Sequence, residues 1–356
     1  MKNCFIILKN KKTDIQREFD FTMLTKFSSN GYWFDKVVTV SYDSNEEITR
    51  QLNEVKNYYD NAIILHPDEM AETLKKYLQN QYATTFVYNQ ISSGGKTLFL
   101  ISNAQSLSLV AEEVIKSLNA KYSVKYQKSY IKTVGASKTE INTAIAKAKN
   151  ISSDLEFNVY GEYGDDTIEI LYTDKTTKMV LDGVIRIFVT LLGEYVYALE
   201  NVTLAERLYQ LLTLRRMKIA VAESFTGGGV GQKLVEVPGI SQVFYEGLNT
   251  YSNQSKIQRL GVEESTISHH GAVSDETAYQ MAAGLISQGN CDISIATTGI
   301  AGPKSDNTNK PVGLCYIAIG LKESVFVYKY VLNGNRERIT KTAINYALFL
   351  AYKQIK

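Results

Sequence analysis

Short apolar runs and helical stretches follow one another through the first 125 residues. Three runs have the composition of strands: Lys36–Ser41 (KVVTVS), Asn61–Leu65 and Lys96–Ile101 (KTLFLI). The stretches after them predict helices at about 45–59, 69–79 and 106–118. Strand and helix in alternation indicate an α/β domain with a parallel sheet.

The order of elements changes after residue 125. The pattern predicts a strand at 126–134, a helix to about residue 150 capped by Ser137, strands at 156–160 and 167–172, a helix at 176–192 and a short strand at 195–199. This βαββα-plus-strand order indicates a small α+β domain. It has no Gly-X-X-Gly loop between adjacent helices and no surplus of Lys and Arg, so nucleic-acid binding is not expected.

Residues 201–356 return to the alternating pattern. Strands are predicted at 218–222, 244–249, 293–297, 312–320 and 324–332, and helices at 203–216, 230–235, 275–288 and 337–352. This segment holds 15 of the 23 glycines and three of the four prolines. Glycine lets the backbone turn tightly or approach a ligand closely, so a site built from backbone groups is expected here.

Composition excludes several classes of function. The chain has 39 basic and 37 acidic residues, a net charge of +2, and no basic footprint for nucleic acid or cationic face for a membrane. No run approaches the ~18 apolar residues of a membrane helix, and the N-terminus lacks a cleavage site of small residues. A cytoplasmic location is therefore expected. Three cysteines, far apart and odd in number, imply no disulfide framework.

Two predicted strands run into Gly-rich turns, Ser224–Gly229 and Thr298–Gly302. Open α/β sheets place ligands at such strand ends. In the first turn, the Ser224 hydroxyl is expected to be exposed, with the amides of Thr226, Gly227 and Gly228 available as donors to an anion. Three interpretations stay open at this point: a serine nucleophile, a helix cap, and a phosphate cradle without a nucleophile.

A serine nucleophile needs a base. The adjacent pair His269 and His270 has the setting of loop residues. Lysine can serve when burial and neighbouring positive charge lower its pKa, and Lys256, in a predicted polar turn, is the candidate. The alternative interpretation of Lys256 is a solvated surface charge.

The combination of motifs is far more specific than any one of them. In chain order they are Ala222-Glu223-Ser224-X-Thr226-Gly227-Gly228, Val237-Pro238-Gly239, Thr250-Tyr251-Ser252-Asn253-X-X-Lys256, His270-Gly271-Ala272-Val273-Ser274, Thr298-Gly299-Ile300-Ala301-Gly302-Pro303 and Lys310-Pro311-Val312-Gly313. Together they strongly resemble the C-terminal domain of the CinA family, the nicotinamide-nucleotide amidohydrolases, from about residue 204 to 351. The resemblance implies hydrolysis of nicotinamide mononucleotide to nicotinate mononucleotide and ammonia, without metal or cofactor.

The resemblance also implies roles for individual residues. Ser224 matches the nucleophile, Lys256 the general base and Tyr251 an active-site tyrosine. Substrate contacts are implied for Thr226, Gly227, Gly228, Thr298, Gly299 and Arg336, the last of which would face the nucleotide phosphate. The chain departs from the family at Phe225, where cysteine is common, and in the loop 304–309, which lacks the usual glycines.

The upstream segments resemble the rest of a full-length CinA protein. This predicts a multidomain α/β chain: a molybdopterin-binding-like domain at 1–125, a small KH-like α+β domain at 126–200 and the amidohydrolase domain at 201–356. Relatives of this architecture imply a homodimer. The alternative function is a non-catalytic nucleotide-binding or competence-related scaffold, for which a serine–lysine pair would be superfluous.

In active relatives the first domain is a metal-dependent pyrophosphatase acting on ADP-ribose, and here that activity is expected to be lost. Where those relatives have Gly-rich and Pro-Gly-X-Pro turns, this chain has His66-Pro67-Asp68 and Ser102-Asn103-Ala104. Near the N-terminus it offers Lys9-Asn10-Lys11-Lys12 in place of a Gly-rich loop. Asp68 and Glu69 fit a helix start better than a metal site.

Overall fold

The computed structural model describes residues 1–9, 22–305 and 309–356. The chain divides into two compact units, Met1–Gln127 with Thr173–Lys175, and Lys128–Tyr172 with Thr176–Lys356. Across the described residues, the chain contains three β-sheets with helices between their strands, which confirms the predicted multidomain α/β fold class. The boundaries at 125 and 200, and the likenesses to molybdopterin-binding and KH domains, stay predictions.

The first unit is built on a five-stranded sheet of order β2-β1-β3-β5-β4. Its elements are β1 (Asn3–Lys9), α1 (Thr22–Ser29), β2 (Lys36–Ser41), α2 (Asn45–Tyr58), β3 (Asn61–His66), α3 (Ala71–Tyr82), β4 (Gln90–Ser93), β5 (Lys96–Ser102) and α4 (Leu107–Tyr122). Strands β2, β1, β3 and β5 are parallel, and β4 pairs antiparallel with β5. The three predicted strands and three predicted helices are present.

The sequence pattern missed β1, α1 and β4. Strand β1 lies between β2 and β3 in the sheet, and helices pack on both faces of the sheet there, so the side chains on both faces of β1 are buried. Cys4, Ile6 and Leu8 enter one apolar cluster, and Phe5 and Ile7 enter the cluster on the opposite face. A strand covered on both sides has a continuous apolar run, and so the alternation that marks a half-exposed strand is absent.

The middle segment forms a four-stranded sheet of order β7-β8-β6-β9. Its elements are β6 (Tyr126–Val134), α5 (Lys138–Lys149), β7 (Glu156–Glu162), β8 (Asp165–Thr173), α6 (Lys178–Leu192) and β9 (Val196–Ala198). The predicted cap of α5 is confirmed, because the Ser137 side chain accepts from the amide of Glu140 and the Glu140 carboxylate accepts from the amide of Ser137. The βαββα-plus-strand order is also confirmed.

The C-terminal segment carries a sheet of order β11-β10-β12-β13-β14. Its elements are α7 (Leu204–Arg215), β10 (Ile219–Glu223), α8 (Gly229–Val235), β11 (Phe244–Asn249), α9 (Asn253–Leu260), α10 (Glu264–His270), α11 (Asp275–Ser287), β12 (Ile293–Gly299), β13 (Leu314–Leu321), β14 (Ser324–Val331) and α12 (Arg336–Ile355). Strands β11, β10 and β12 are parallel, and β13 is antiparallel to both of its neighbours.

Helices cover both faces of this sheet. Leu208 and Leu212 of α7 share an apolar cluster with Leu348 of α12 and with side chains of β10, β12 and β13. Met281 and Leu285 of α11 belong to the cluster on the other face. The sheet is therefore rigid, and the carboxyl ends of its parallel strands have fixed positions. No helix in the described ranges is long and apolar enough to span a membrane.

Two predictions from local sequence are wrong in this segment. Lys256 lies in helix α9, not in a polar turn, and His269 and His270 form the last turn of helix α10, not a loop. Both helices are short and mostly polar, so they lack the apolar periodicity that marks longer helices. The remaining local signal for α9 is Ser252, whose side chain accepts from the amide of Ser255 and caps the helix.

Candidate active site

Three parallel strands end side by side at one edge of the C-terminal sheet. Glu223, the last residue of β10, pairs with Asn249 at the end of β11 and with Thr297 near the end of β12. The segments that follow these residues therefore meet at the same edge. They contain most of the predicted site residues, and Arg336 begins helix α12.

The structure brings Ser224 and Lys256 into direct contact. The Lys256 ammonium donates to the Ser224 hydroxyl oxygen at 3.1 Å, to the carbonyl of Thr250 at 2.8 Å and to the carbonyl of Tyr251 at 3.3 Å. Lys256 is only 1% exposed. Three acceptors match the three N–H bonds of an ammonium group, so the side chain is held in one orientation. The surface-charge interpretation of Lys256 is wrong.

Burial changes the acidity of this lysine. It lowers the pKa of Lys256 from 10.5 to about 8, and desolvation is the cause. The neighbouring positive charge expected from the sequence is not a cause of this shift. At pH 7 about a tenth of such side chains are neutral, against about one in three thousand with an unperturbed pKa. A neutral amine beside a serine hydroxyl can accept its proton.

Ser224 is less accessible than the sequence suggested. It is 8% exposed, and its backbone amide donates to the carbonyl of Thr297 at 3.0 Å. Two of the three amides predicted as anion donors are occupied: Gly227 donates to the carbonyl of Ser224, and Gly228 donates to the carboxylate of Glu223. The anion-donor role predicted for Gly227 and Gly228 is therefore wrong.

Two amides of the turn remain available. Within the described ranges, the backbone N–H groups of Phe225 and Thr226 have no hydrogen-bond acceptor. Phe225 directly follows the serine, the position from which a backbone N–H can reach the oxyanion that forms on a carbonyl oxygen when the serine hydroxyl attacks the carbonyl carbon. The Thr226 hydroxyl is buried and bonded to the hydroxyl of Thr297 at 2.7 Å. Thr226 thus offers its amide, not its side chain.

In the second Gly-rich turn, Thr298 and Gly299 have structural roles. The Thr298 hydroxyl is buried and donates to the carbonyl of Ala272 at 2.6 Å. At Gly299 a Cβ would lie 2.6 Å from the Cβ of Cys315 on the paired strand β13. The Thr298 side chain therefore ties β12 to the segment before α11, and strand packing requires glycine at position 299. The substrate contact at Thr298 that the resemblance implies stays a prediction, and in this conformation its hydroxyl proton is held by the carbonyl of Ala272.

A small cavity of about 170 Å³ lies beside the turn. Its lining includes Phe225, Tyr251, Gly299, Lys304 and Arg336. The Arg336 guanidinium donates to the carbonyl of Gly302 at 2.8 Å and to the Tyr251 hydroxyl at 3.4 Å. Aromatic rings and two cationic side chains thus line one cavity, a suitable combination for an aromatic ligand that carries an anionic group.

Sequence reasoning missed two residues of this region. Lys304 lies in a polar loop, where a lone lysine has no distinguishing pattern. Glu223 belongs to a recognised motif but had no assigned role, because its buried carboxylate became apparent only from the fold. Residues 306–308 of the predicted glycine-poor loop lie outside the described residues.

The first sheet has its own strand-end edge. There Asp68 lies in a short 3-10 turn after β3, and the hydroxyl of Ser102 at the end of β5 donates to its carboxylate. His66 is buried and bonded through Nδ1 to the carbonyl of Pro67 at 2.8 Å. The described ranges contain no group of three or more His, Cys, Asp or Glu side chains placed to hold a metal ion. Residues 10–12 lie outside those ranges.

Comparisons with known proteins agree with the strand-end motifs. Residues 201–355 match the family described as the CinA C-terminal domain. A putative competence-damage inducible protein of Caldicellulosiruptor saccharolyticus is 34% identical over 285 residues, 78% of this chain and 69% of that relative. A protein of the same description from Alkaliphilus metalliredigens is 44% identical over 164 residues, 46% of this chain and 40% of that relative.

Solved structures are also similar to part of the chain. The crystal structure of the competence/damage inducible protein CihA from Agrobacterium tumefaciens is 35% identical, covers 42% of this chain and 94% of its own, and superposes with a TM-score of 0.41.

Proposed function

This chain belongs to the CinA family, and on that premise we propose that its C-terminal segment is an amidohydrolase that converts nicotinamide mononucleotide to nicotinate mononucleotide and ammonia. One observation carries the proposal: a buried lysine with a lowered pKa donates a hydrogen bond to a serine at the carboxyl ends of parallel strands. A scaffold that only binds nucleotides gains nothing from a buried lysine in this position, because desolvating a charge costs stability.

The first half of the reaction is acyl transfer to the serine. Neutral Lys256 accepts the hydroxyl proton of Ser224, and the serine oxygen attacks the carboxamide carbon. The negative charge that develops on the carboxamide oxygen is stabilised by the free N–H groups of Phe225 and Thr226. The C–N bond then breaks as the Lys256 ammonium returns its proton to the leaving nitrogen, which departs as ammonia.

The second half is hydrolysis of the nicotinoyl ester. Lys256, neutral again, accepts a proton from water as the water oxygen attacks the ester carbon. The same two amides stabilise the second oxyanion, and collapse of this intermediate returns the proton to the Ser224 oxygen. The products are the free serine and nicotinate mononucleotide, so one water is used and one ammonia is released per turnover.

The cavity supplies the substrate contacts. Phe225 and Tyr251 offer apolar and aromatic surface for the pyridine ring, and Arg336 and Lys304 offer positive charge for the phosphate. Arg336 is already positioned by Gly302 and Tyr251, which reduces the entropy lost when it binds an anion. The phosphate contact is therefore assigned to side chains and not to the start of helix α8.

The decisive experiment measures ammonia release from nicotinamide mononucleotide by the purified full chain, with nicotinate mononucleotide quantified by chromatography. Ser224→Ala tests the nucleophile. Ser265→Ala is the matched control, because Ser265 is an exposed serine of α10 whose side chain, among the residues that the structure describes, bonds only Glu263. Deamidation by the wild type and the control but not by Ser224→Ala supports the proposal. No ammonia from the wild type would favour the scaffold alternative.

A further inference from the structure

The residue before the nucleophile carries a buried carboxylate that no step of the reaction uses. Glu223 is 2% exposed. Its Oε2 accepts from the amides of Gly228 at 3.1 Å and Val230 at 3.0 Å, and its Oε1 accepts from the amide of Gly231 at 2.8 Å. All three donors belong to the first turn of helix α8 or to the residue before it.

This arrangement replaces an ordinary helix cap. The first orphan amides of a helix are usually satisfied by a Ser, Thr, Asp or Asn side chain at the N-cap position. In α8 that position is Gly228, which has no side chain and adopts φ +95°. The cap is supplied instead from Glu223, five positions upstream in strand β10. The segment between them is the turn that carries Ser224.

The electrostatics of the cap are favourable without an ion pair. Glu223 forms no salt bridge within the described residues. Charge-assisted hydrogen bonds from three amides and the positive end of the helix offset the cost of burying a carboxylate. Because these amides are occupied, the start of α8 is closed to phosphate and to an oxyanion. The earlier amides of Phe225 and Thr226 have no acceptor among the described residues and can donate to an oxyanion.

The backbone of Glu223 links the same residue to the lysine. Its carbonyl accepts from the amide of Thr250 at 2.8 Å. The carbonyl of Thr250 in turn accepts from Lys256 Nζ at 2.8 Å. The side chain of Glu223 therefore holds the segment after Ser224, and its backbone holds the segment that orients Lys256.

We propose that Glu223 is a positioning residue for the serine–lysine pair. Its carboxylate holds the turn 224–228 so that the Ser224 hydroxyl stays 3.1 Å from Lys256 Nζ and the amides of Phe225 and Thr226 stay free for the oxyanion. This inference rests on the proposed acyl-transfer function. It adds a carboxylate requirement to a reaction in which no carboxylate touches the substrate.

The site allows a direct test by chemical rescue. A cavity of about 370 Å³ is lined by Glu223 together with Gly228, Gly231 and Phe244. When Glu223 is shortened to alanine, a formate ion can enter this cavity and accept from the vacated amides. If Glu223 were needed only to fill space, formate would not restore activity, because it replaces the carboxylate but not the two methylene groups of the side chain.

The experiment compares the full-chain wild type, Glu223→Ala and Glu223→Gln. The readout is the burst of Ser224 acylation by p-nitrophenyl acetate, with Ser224→Ala as the blank. Glu236→Ala is the matched control, since Glu236 is an exposed acid directly after α8 whose one ion pair within the described ranges is with Lys233. Displacement of a reacting group by about 1 Å costs about 100-fold in rate, so a loss of that order is expected in Glu223→Ala and none in the control.

Saturable formate rescue of Glu223→Ala, by at least about fivefold, supports the proposal. Glu223→Gln has the same size but an amide in place of one oxygen, so it should lose rate and not respond to formate. Hydrogen exchange of the peptide 224–235 provides a second readout that needs no turnover: protection should fall in Glu223→Ala and recover in formate. If Glu223→Ala does not fold, the glutamine variant decides the question.

Acylation within threefold of wild type in a folded Glu223→Gln, or exchange of 224–235 unchanged by substitution and formate, overturns the positioning role. If hydrogen exchange in Glu223→Ala responds to formate but the wild type does not deamidate nicotinamide mononucleotide, the proposed substrate is refuted and the role of Glu223 stands. If Glu223→Gln deamidates nicotinamide mononucleotide at the wild-type rate, the role of Glu223 is refuted and the proposed substrate stands. The two proposals therefore fail by different results.

Discussion

Lys256→Met removes a charge from a site in which burial lowers the pKa of the lysine from 10.5 to about 8. One pKa unit corresponds to about 1.4 kcal/mol, so the charged form is disfavoured in the folded state by about 3 kcal/mol. In the unfolded chain Lys256 has its ordinary pKa. Between pH 8 and 10.5 the unfolded state therefore binds more protons than the folded state, and the stability of the wild type rises with pH in this window.

Below pH 8 both states are protonated, and the whole cost of burying the charge opposes folding. The methionine variant has no such group, and its other titrating residues are those of the wild type. The difference in free energy of unfolding between the two proteins should therefore change by about 2 to 3 kcal/mol between pH 7 and pH 10, in favour of the wild type at the higher pH. Urea unfolding of both proteins at pH 7 and at pH 10 gives the four free energies of unfolding from which this change is calculated.

The same pKa should govern catalysis. The kcat/KM of the wild type is expected to rise with pH through a single ionisation near 8, because the neutral amine is the active form. Lys256→Arg should be inactive, since guanidinium stays protonated. A stability difference that is constant between pH 7 and pH 10 would mean that Lys256 has an ordinary pKa. Activity of the arginine variant with an unchanged pH profile would show that another group is the base.

Three further predictions concern the nucleophile, the cationic side chains of the cavity and the pyrophosphatase chemistry of the first sheet. Ser224→Ala should abolish deamidation with an unchanged far-ultraviolet circular dichroism spectrum, and retention of more than about a tenth of the wild-type kcat would refute its role as nucleophile. Arg336→Ala should raise KM for nicotinamide mononucleotide by about tenfold or more, and Lys304→Ala by about threefold, at nearly constant kcat. An equal effect on the phosphate-free riboside would refute the phosphate contact. Incubation with ADP-ribose and Mg²⁺, Mn²⁺ or Co²⁺ should yield no AMP, and turnover lost on mutation of Asp68 or Glu69 would contradict the loss of pyrophosphatase chemistry.

Local sequence determined most of the secondary structure and its order. Strands such as Lys36–Ser41 and Phe244–Asn249 were predicted to the residue, and the cap at Ser137 was predicted from a serine directly before an alanine-rich helical stretch. These features depend on residues close together in the chain, where periodicity and capping chemistry act directly on the backbone. The motifs with Ser224 and Lys256 are local in the same sense, and they sufficed for the family.

Local sequence did not predict the short helices α9 and α10 or strand β1. Helix α9 has few apolar residues, and strand β1 has no alternation because helices cover both of its faces. In each case the missing information is which other segments pack against the element. Packing partners distant in sequence decide whether a polar octapeptide is held as a helix.

Only the tertiary structure decided the chemistry of the site. Lys256 and Ser224 are 32 positions apart, and the burial that lowers the lysine pKa comes from the fold over the ends of β10 and β11. The Gly-rich turn had the sequence of an anion site, yet Glu223 occupies the amides at the start of α8. A sequence specifies which donors and acceptors a turn contains. Which of them remain free depends on hydrogen bonds that form only when distant segments meet.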